Sequence, residues 1–138
     1  MRTLTLRIQA YPSDLNPLGT VFGGWIMSMM DKAASIAVGD LIDTTVVTVA
    51  VSDLRFIKPI QNGDVVTIHT TINKIGKSSI AVYVEADVLC RKSHCDVRCE
   101  MRVTDATFTF VAVNKNGEPI DVRSVLRTNL PQGVEKLL

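Results

Sequence analysis

No stretch of this 138-residue sequence carries the eighteen or so uninterrupted apolar residues that a membrane-crossing helix needs. The longest apolar run, after Gly24, is broken by Asp31 and Lys32. The opening residues MRTLTLRIQAYPSD have neither a long hydrophobic stretch nor a small-residue cleavage site, so they do not read as a signal peptide. The expected compartment is the cytoplasm. Excess charge of one sign is also missing. Fifteen Lys and Arg face 14 Asp and Glu, which argues against a nucleic-acid binder relying on a broad basic face and leaves room only for a small local patch. Cysteine is scarce and odd in number: Cys90, Cys95 and Cys99 do not make a disulfide framework. Linker-like composition, internal repeats and low-complexity runs are lacking too. The length then points to one domain, expected over residues 1–120 with a C-terminal tail at 121–138.

What is present is an apolar fraction of 46%, typical of a soluble domain, arranged in two distinct periodicities. LTLRIQA alternates and predicts a short strand. YPSDLNPLG is a loop. Gly23 to about Val38 predicts one helix whose composition suits coverage on most sides. Strand after strand follows: VVTVAVSDLRFI, then a KPIQNGD turn, VVTIHTTINKI, a tight GKSS connection, and IAVYVEADVLC. In the last of these Ile80, Val82, Val84, Ala86 and Val88 share one face. RKSHCDV reads as a turn, RCEMRVTDATFTFVAV as a long last strand stopped by NKNGEP, and the tail as a loop with one helical turn near SVLRTNL. One buried helix followed by an antiparallel meander predicts an α+β fold with the sheet wrapped around the helix. The sheet edges left over would need covering, which suggests an oligomer.

Asp31 is the anomaly in this pattern. Burying an unpaired carboxylate costs roughly several kcal/mol, yet it follows Trp, Ile, Met, Ser, Met, Met in the middle of the helix. It stands seven residues, two turns, after Gly24 and on the same side. A helix N-terminus offers free N–H groups and partial positive charge, and Gly23-Gly24 lets another group come close. An oxyanion site beside a carboxylate is the pairing that acyl transfer to water requires. Asn16, in the loop ahead of the helix, is placed to orient the water or polarise the carbonyl. From the residues alone two readings stay open, because a Gly-Gly pair is commonly only a turn and a helical Asp is commonly solvated.

The segment NPLGTVFGGWIMSMMD resembles the N-x-x-G-x-x-F-G-G-W-x-M-S-x-x-D pattern of bacterial hotdog-fold acyl-CoA thioesterases, the YciA-like branch of the acyl-CoA hydrolases. The resemblance continues through VVTVAVSDLRFIKPIQNGDVV, GKSSIAVYVE and TDATFTFVAVNKNGEP, covering about residues 5 to 120. It implies a hotdog fold, a long central helix wrapped by an antiparallel sheet of about five strands. It implies hydrolysis of acyl-CoA with Asp31 as general base or nucleophile, Asn16 as its partner, and Gly23 and Gly24 polarising the thioester carbonyl. Phe22, Arg55, Lys58, Lys77, Ser78 and Ser79 become candidates for substrate and coenzyme A contacts, in a groove near the helix start, the FIKP turn and the GKSS turn. No cofactor or metal is implied, since coenzyme A is part of the substrate and product. The assembly implied is at least a homodimer, extended to a trimer of dimers, with no nucleic acid and no membrane span. Lys32, Ala33 and Leu18 depart from the usual residues of the pattern, which bears on acyl-chain preference and not on the reaction.

Two alternatives to a thioesterase stand beside this reading. A hotdog dehydratase or hydratase uses a His for proton work, and neither His69 nor His94 falls on the helix or its preceding loop. A non-catalytic acyl-CoA-binding subunit is the other alternative. Cys90, His94, Cys95 and Cys99 match a metal set only loosely. His69 reads as a structural strand residue, and Met27, Met29 and Met30 as core and acyl-pocket lining.

Overall fold

Five strands in the order β1-β3-β4-β5-β2 form one antiparallel sheet. They are β1 (Thr3–Gln9), β2 (Thr45–Phe56), β3 (Val65–Ile75), β4 (Ser79–Leu89) and β5 (Glu100–Val113), and a single helix α1 (Gly23–Gly39) lies on one face. The computed structural model describes residues 1–89 and 100–138. Cys90, His94, Cys95 and Cys99 lie outside the described residues. The arrangement is the hotdog fold that the sequence led us to expect.

The core follows from the alternation. Ile80, Val82, Val84, Ala86 and Val88 of β4 are all buried on the helix side, meeting Trp25, Ile26, Met29, Met30, Ala33, Ala34 and Val38 of α1. Those helix positions recur at intervals of one, three and four, a single face. Within one chain the helix is therefore covered on one side only, and Ser28, Lys32 and Ile36 are left exposed. Strand β3 is set up by the turn at Gln61–Asp64, where Gly63 takes φ +83°, a conformation glycine adopts at little cost. The Asp64 carboxylate accepts from the Gln61 amide at 2.8 Å, closing the turn.

Strand β2 is the exception. It is β-branched like a buried strand, yet it forms an edge and leaves Val47, Val49 and Val51 exposed. Its pairing with β5 is interrupted by irregularities at Thr48/Ala50 and Ser52/Arg55, and Asp53 takes φ 53° at the second. The tail winds into two short 3-10 turns, Val122–Val125 and Val134–Leu137. The first starts just ahead of the helical turn expected near SVLRTNL, and the second was not expected. Val122 and Val134 join the core. No described helix is long and apolar enough to cross a membrane.

Candidate active site

Phe22 occupies the N-cap of α1 with extended backbone, and no side chain caps the helix. The first N–H groups of a helix have no intrahelical acceptor, so Gly23 and Gly24 present theirs at the positive end of the helix dipole. The ring of Phe56, at the end of β2, lies against Gly23: a Cβ there would stand 3.1 Å from Cζ. Only glycine fits under the ring without displacing it. Around this point is an apolar hollow of about 390 Å³ lined by Val21, Gly23, Ile26, Phe56, Lys58 and Ile60, among others. Phe22 is exposed beside it, its ring 3.4 Å from where a Cβ on Gly24 would lie.

Asp31 sits at the border of the buried helix face, half-buried. Its Oδ1 accepts a hydrogen bond from the Thr48 hydroxyl of β2 at 2.7 Å. The carboxylate opens on a second hollow, about 240 Å³, lined by Met27, Ser28, Asp31, Thr48, Val51 and Phe108. The Ser28 hydroxyl donates to the Gly24 carbonyl one turn back, at 2.8 Å. Of the three methionines, Met29 and Met30 are core and Met27 lines this hollow. Thr48 was missed in the sequence. It lies in a run of β-branched residues with no local mark, and only the packing of α1 across β2 brings it to Asp31.

Asn16 is occupied within its own loop. Its Oδ1 accepts from the amides of Leu18 at 2.9 Å and Thr20 at 3.2 Å, and its Nδ2 donates to Thr20 Oγ1 at 3.0 Å. This is the side chain's ordinary way of building a tight turn. It has no hydrogen bond to Asp31 within the chain, and it does not line the hollow that holds Asp31.

The six residues expected to touch substrate divide into three groups. Phe22 and Lys58 are at the helix start. Lys77, Ser78 and Ser79 are at the other end of the sheet: Ser79 pairs with Val111 and, through it, Val47, whereas Phe56 pairs with Thr104. One chain does not bring the GKSS turn to the FIKP turn. Arg55 is on the face away from the helix, where its guanidinium donates to both oxygens of Asp105, at 2.9 and 2.7 Å.

That outer face holds a charged network that the sequence did not reveal. Arg102 pairs with Asp87 at 2.7 Å and with Glu85, and lies 3.5 Å from Asp105. Arg2 reaches Glu85 at 3.0 Å and Asp87 at 3.3 Å. The Tyr83 hydroxyl donates to Asp105 at 3.2 Å. The hydrogen bonds from Arg55 hold the Asp105 carboxyl below the usual carboxylate range, against the effect of burial. Burial, with the Asp105 charge next, pushes the Tyr83 phenol up. His69 faces Glu85 across β3 and β4, with Nδ1 buried and without a hydrogen-bond partner among the described residues.

The chemistry available on the helix side is complementary. Uncapped N–H groups suit a carbonyl oxygen gaining negative charge, and a carboxylate held by one hydroxyl suits proton acceptance from water. Relatives carry the same architecture. The family description "Thioesterase superfamily" matches residues 18–87. An uncharacterized acyl-CoA thioester hydrolase of Haemophilus influenzae is 46% identical over 135 residues, 98% of this chain and 84% of the relative. The acyl-CoA thioester hydrolase YciA of Salmonella typhimurium is 37% identical over 116 residues, 84% of this chain and 86% of the relative. A crystal structure described as a hexameric broad specificity acyl-coenzyme A thioesterase, in an aspartate-to-alanine mutant form, superposes with a TM-score of 0.85 at 42% identity, covering 98% of this chain and 94% of that one. This chain belongs to the thioesterase superfamily, in its branch of hotdog-fold acyl-CoA thioester hydrolases.

Proposed function

We propose that the protein hydrolyses acyl-CoA thioesters to a carboxylic acid and coenzyme A, with Asp31 as general base. The observation that carries this reading is the setting of Asp31: one oxygen is held by Thr48, and the side chain borders an open hollow. Water gives a proton to Asp31 as its oxygen attacks the thioester carbon. The carbonyl oxygen becomes an oxyanion facing the N–H groups of Gly23 and Gly24. Collapse breaks the C–S bond and releases the thiolate, which takes a proton back. Thiols ionise at about 8.5, so the leaving group needs little help, consistent with a site that has no histidine on the helix. No metal or cofactor enters these steps.

The assembly we propose is a two-fold dimer joined at β2, repeated to a hexamer like that of the solved relative. Twelve residues of free edge in β2, with Val47, Val49 and Val51 exposed, call for a partner strand. Antiparallel pairing of β2 with a second β2 turns the partner upside down. The partner's GKSS turn then lies at the same end as this chain's Phe56 and Lys58, about 14 Å away across three strand spacings. A coenzyme A groove with Lys58 from one chain and Lys77, Ser78 and Ser79 from the other follows from that geometry. The same two-fold offers Asp31 of one chain to Gly23, Gly24 and Asn16 of its neighbour.

The test is thiol release from a series of acyl-CoAs, with and without a chelator. Turnover is expected with the chelator. No turnover of any acyl-CoA refutes the reading. Loss on chelation, restored by zinc, refutes the metal-free mechanism. For the shared site, an Asn16→Ala chain and an Asp31→Ala chain carrying different tags are co-expressed, and the mixed dimer is purified on both tags. In each mixed dimer one site carries both defects and the other none; with random pairing inside the hexamer about half the dimers are mixed, so about a quarter of the wild-type activity is expected, and about half if the hexamer is built of mixed dimers alone. A mixed dimer as inactive as its parents places both residues in one chain.

A further inference from the structure

The hydrogens of the two hydroxyl groups beside Asp31 are already engaged, and this decides what the hollow can hold. The Ser28 hydroxyl gives its one hydrogen to the Gly24 carbonyl at 2.8 Å. The Thr48 hydroxyl gives its hydrogen to Asp31 Oδ1 at 2.7 Å. An ionised carboxylate has no hydrogen to give, and a hydroxyl that has donated keeps only lone pairs. The polar side chains lining this hollow, Ser28, Asp31 and Thr48, therefore offer an occupant acceptors and no donors. A carbonyl or carboxylate oxygen finds no partner among them. A water molecule does, because it brings two hydrogens and keeps a lone pair free. Ser28 and Asp31 are three residues apart on the helix, neighbours on its surface, so one water can reach both.

Resting on the thioesterase reading above, we propose that Ser28 is a catalytic residue that orients the attacking water. Ser28 Oγ accepts one hydrogen of the water and Asp31 accepts the other. The lone pair of the water is then aimed away from the helix, toward the thioester carbon. As the C–O bond forms, the hydrogen on Asp31 transfers to the carboxylate, and the one on Ser28 stays with the oxygen that becomes part of the product acid. The acid then ionises in a pocket wall that repels it, which favours release. Ser28 thus works with Asp31 of its own chain whichever chain supplies the oxyanion site.

The experiment compares Ser28→Ala and Ser28→Thr with wild type across acyl-CoAs of rising chain length. Ser28 is exposed, so neither change threatens the fold, and thermal melting checks that. Ser28→Ala is expected to lower kcat roughly 10- to 100-fold, the scale of a misplaced reactant, with KM within about two-fold and the same factor for every chain length. Ser28→Thr keeps a hydroxyl able to bond the carbonyl four residues back and should restore most of the activity. Wild-type kcat in Ser28→Ala overturns the proposal and leaves the hydrolase reading standing. So does a loss that varies with chain length, which makes Ser28 a wall of the acyl site, or a loss that Ser28→Thr does not repair. A wild-type protein that hydrolyses no acyl-CoA removes both.

Discussion

On the outer face of the sheet, Glu85, Asp87 and Asp105 share the guanidinium groups of Arg2, Arg55 and Arg102. On the helix face, Asp31 has a single hydroxyl. Both regions draw on β2 and β5, on opposite faces: Asp105 stands opposite Arg55, and Thr48 stands opposite Phe110, five residues further along β5. On the outer face Asp105, 2% exposed, receives four donors, one on Oδ1 and three on Oδ2, so both of its oxygens are engaged. Asp31 borders open space with acceptor capacity to spare. A buried carboxylate saturated by arginines holds strands together and has nothing left for a substrate. A carboxylate held at one oxygen is oriented and still free to take a proton. Saturation of hydrogen-bonding capacity therefore separates the structural acid from the chemical one, and charge alone does not.

The largest test of this contrast is Asp31→Ala. It should lower kcat by roughly two to four orders of magnitude while the urea midpoint stays at or above wild type, since a half-buried charge is removed. An active variant, or a destabilised one, breaks the distinction. Asp105→Ala should do the reverse and cost about 1–3 kcal/mol of stability. That is less than a wholly buried pair, because the Arg55 side chain is 66% exposed and can turn to water. Its kcat per folded molecule should stay within about two-fold. The pH dependence follows with its sign. The folded pKa of Asp105 is lowered, so its contribution is complete above the ordinary carboxylate value of about 3.9 and is lost as the pH falls from there through the lowered value. Urea melts of wild type and Asp105→Asn between neutral and strongly acidic pH should converge at the acid end. A constant gap would refute the assignment.

Smaller effects sharpen the picture. Thr48→Val keeps the shape of the side chain and removes the hydrogen bond to Asp31. A loss of about tenfold in kcat is expected, the equivalent of about 1.4 kcal/mol, with little change in KM. Lys58→Ala and Lys77→Ala should each raise KM for acyl-CoA a few-fold with kcat unchanged, since a phosphate contact is made equally in ground and transition states. The effect should shrink at high salt. Wild-type KM in both places the coenzyme A groove elsewhere.

The sequence was legible where the information is local. Apolar periodicity marked α1 and the strands to within a residue or two, and the Gly23-Gly24 pair marked the uncapped helix start. Asp31 was visible because a charge in an apolar run violates the pattern around it. The pairing of Arg55 with Asp105 was invisible for the opposite reason. An arginine near a turn looks like any surface cation, and the irregularity at Ser52/Arg55, which sets Arg55 opposite Asp105, has no local sign beyond Asp53. Thr48 was unmarked among valines and threonines. Lys58 and the GKSS turn were grouped because the resemblance grouped them, while the antiparallel register sends them to opposite ends of one chain.

Composition, alternation and one long motif determined the class of fold, the family, and which carboxylate to suspect. These depend on the spacing of neighbours along the chain, which the order of residues states outright. The partners of each carboxylate were decided only by the tertiary structure. Strand order, register and helix placement bring together residues as far apart as Arg2 and Asp87, or Asp31 and Thr48. No spacing rule fixes such pairs. They follow from which faces bury together and which strand slips by one residue at a bulge, because a single such slip turns a side chain from one face of the sheet to the other.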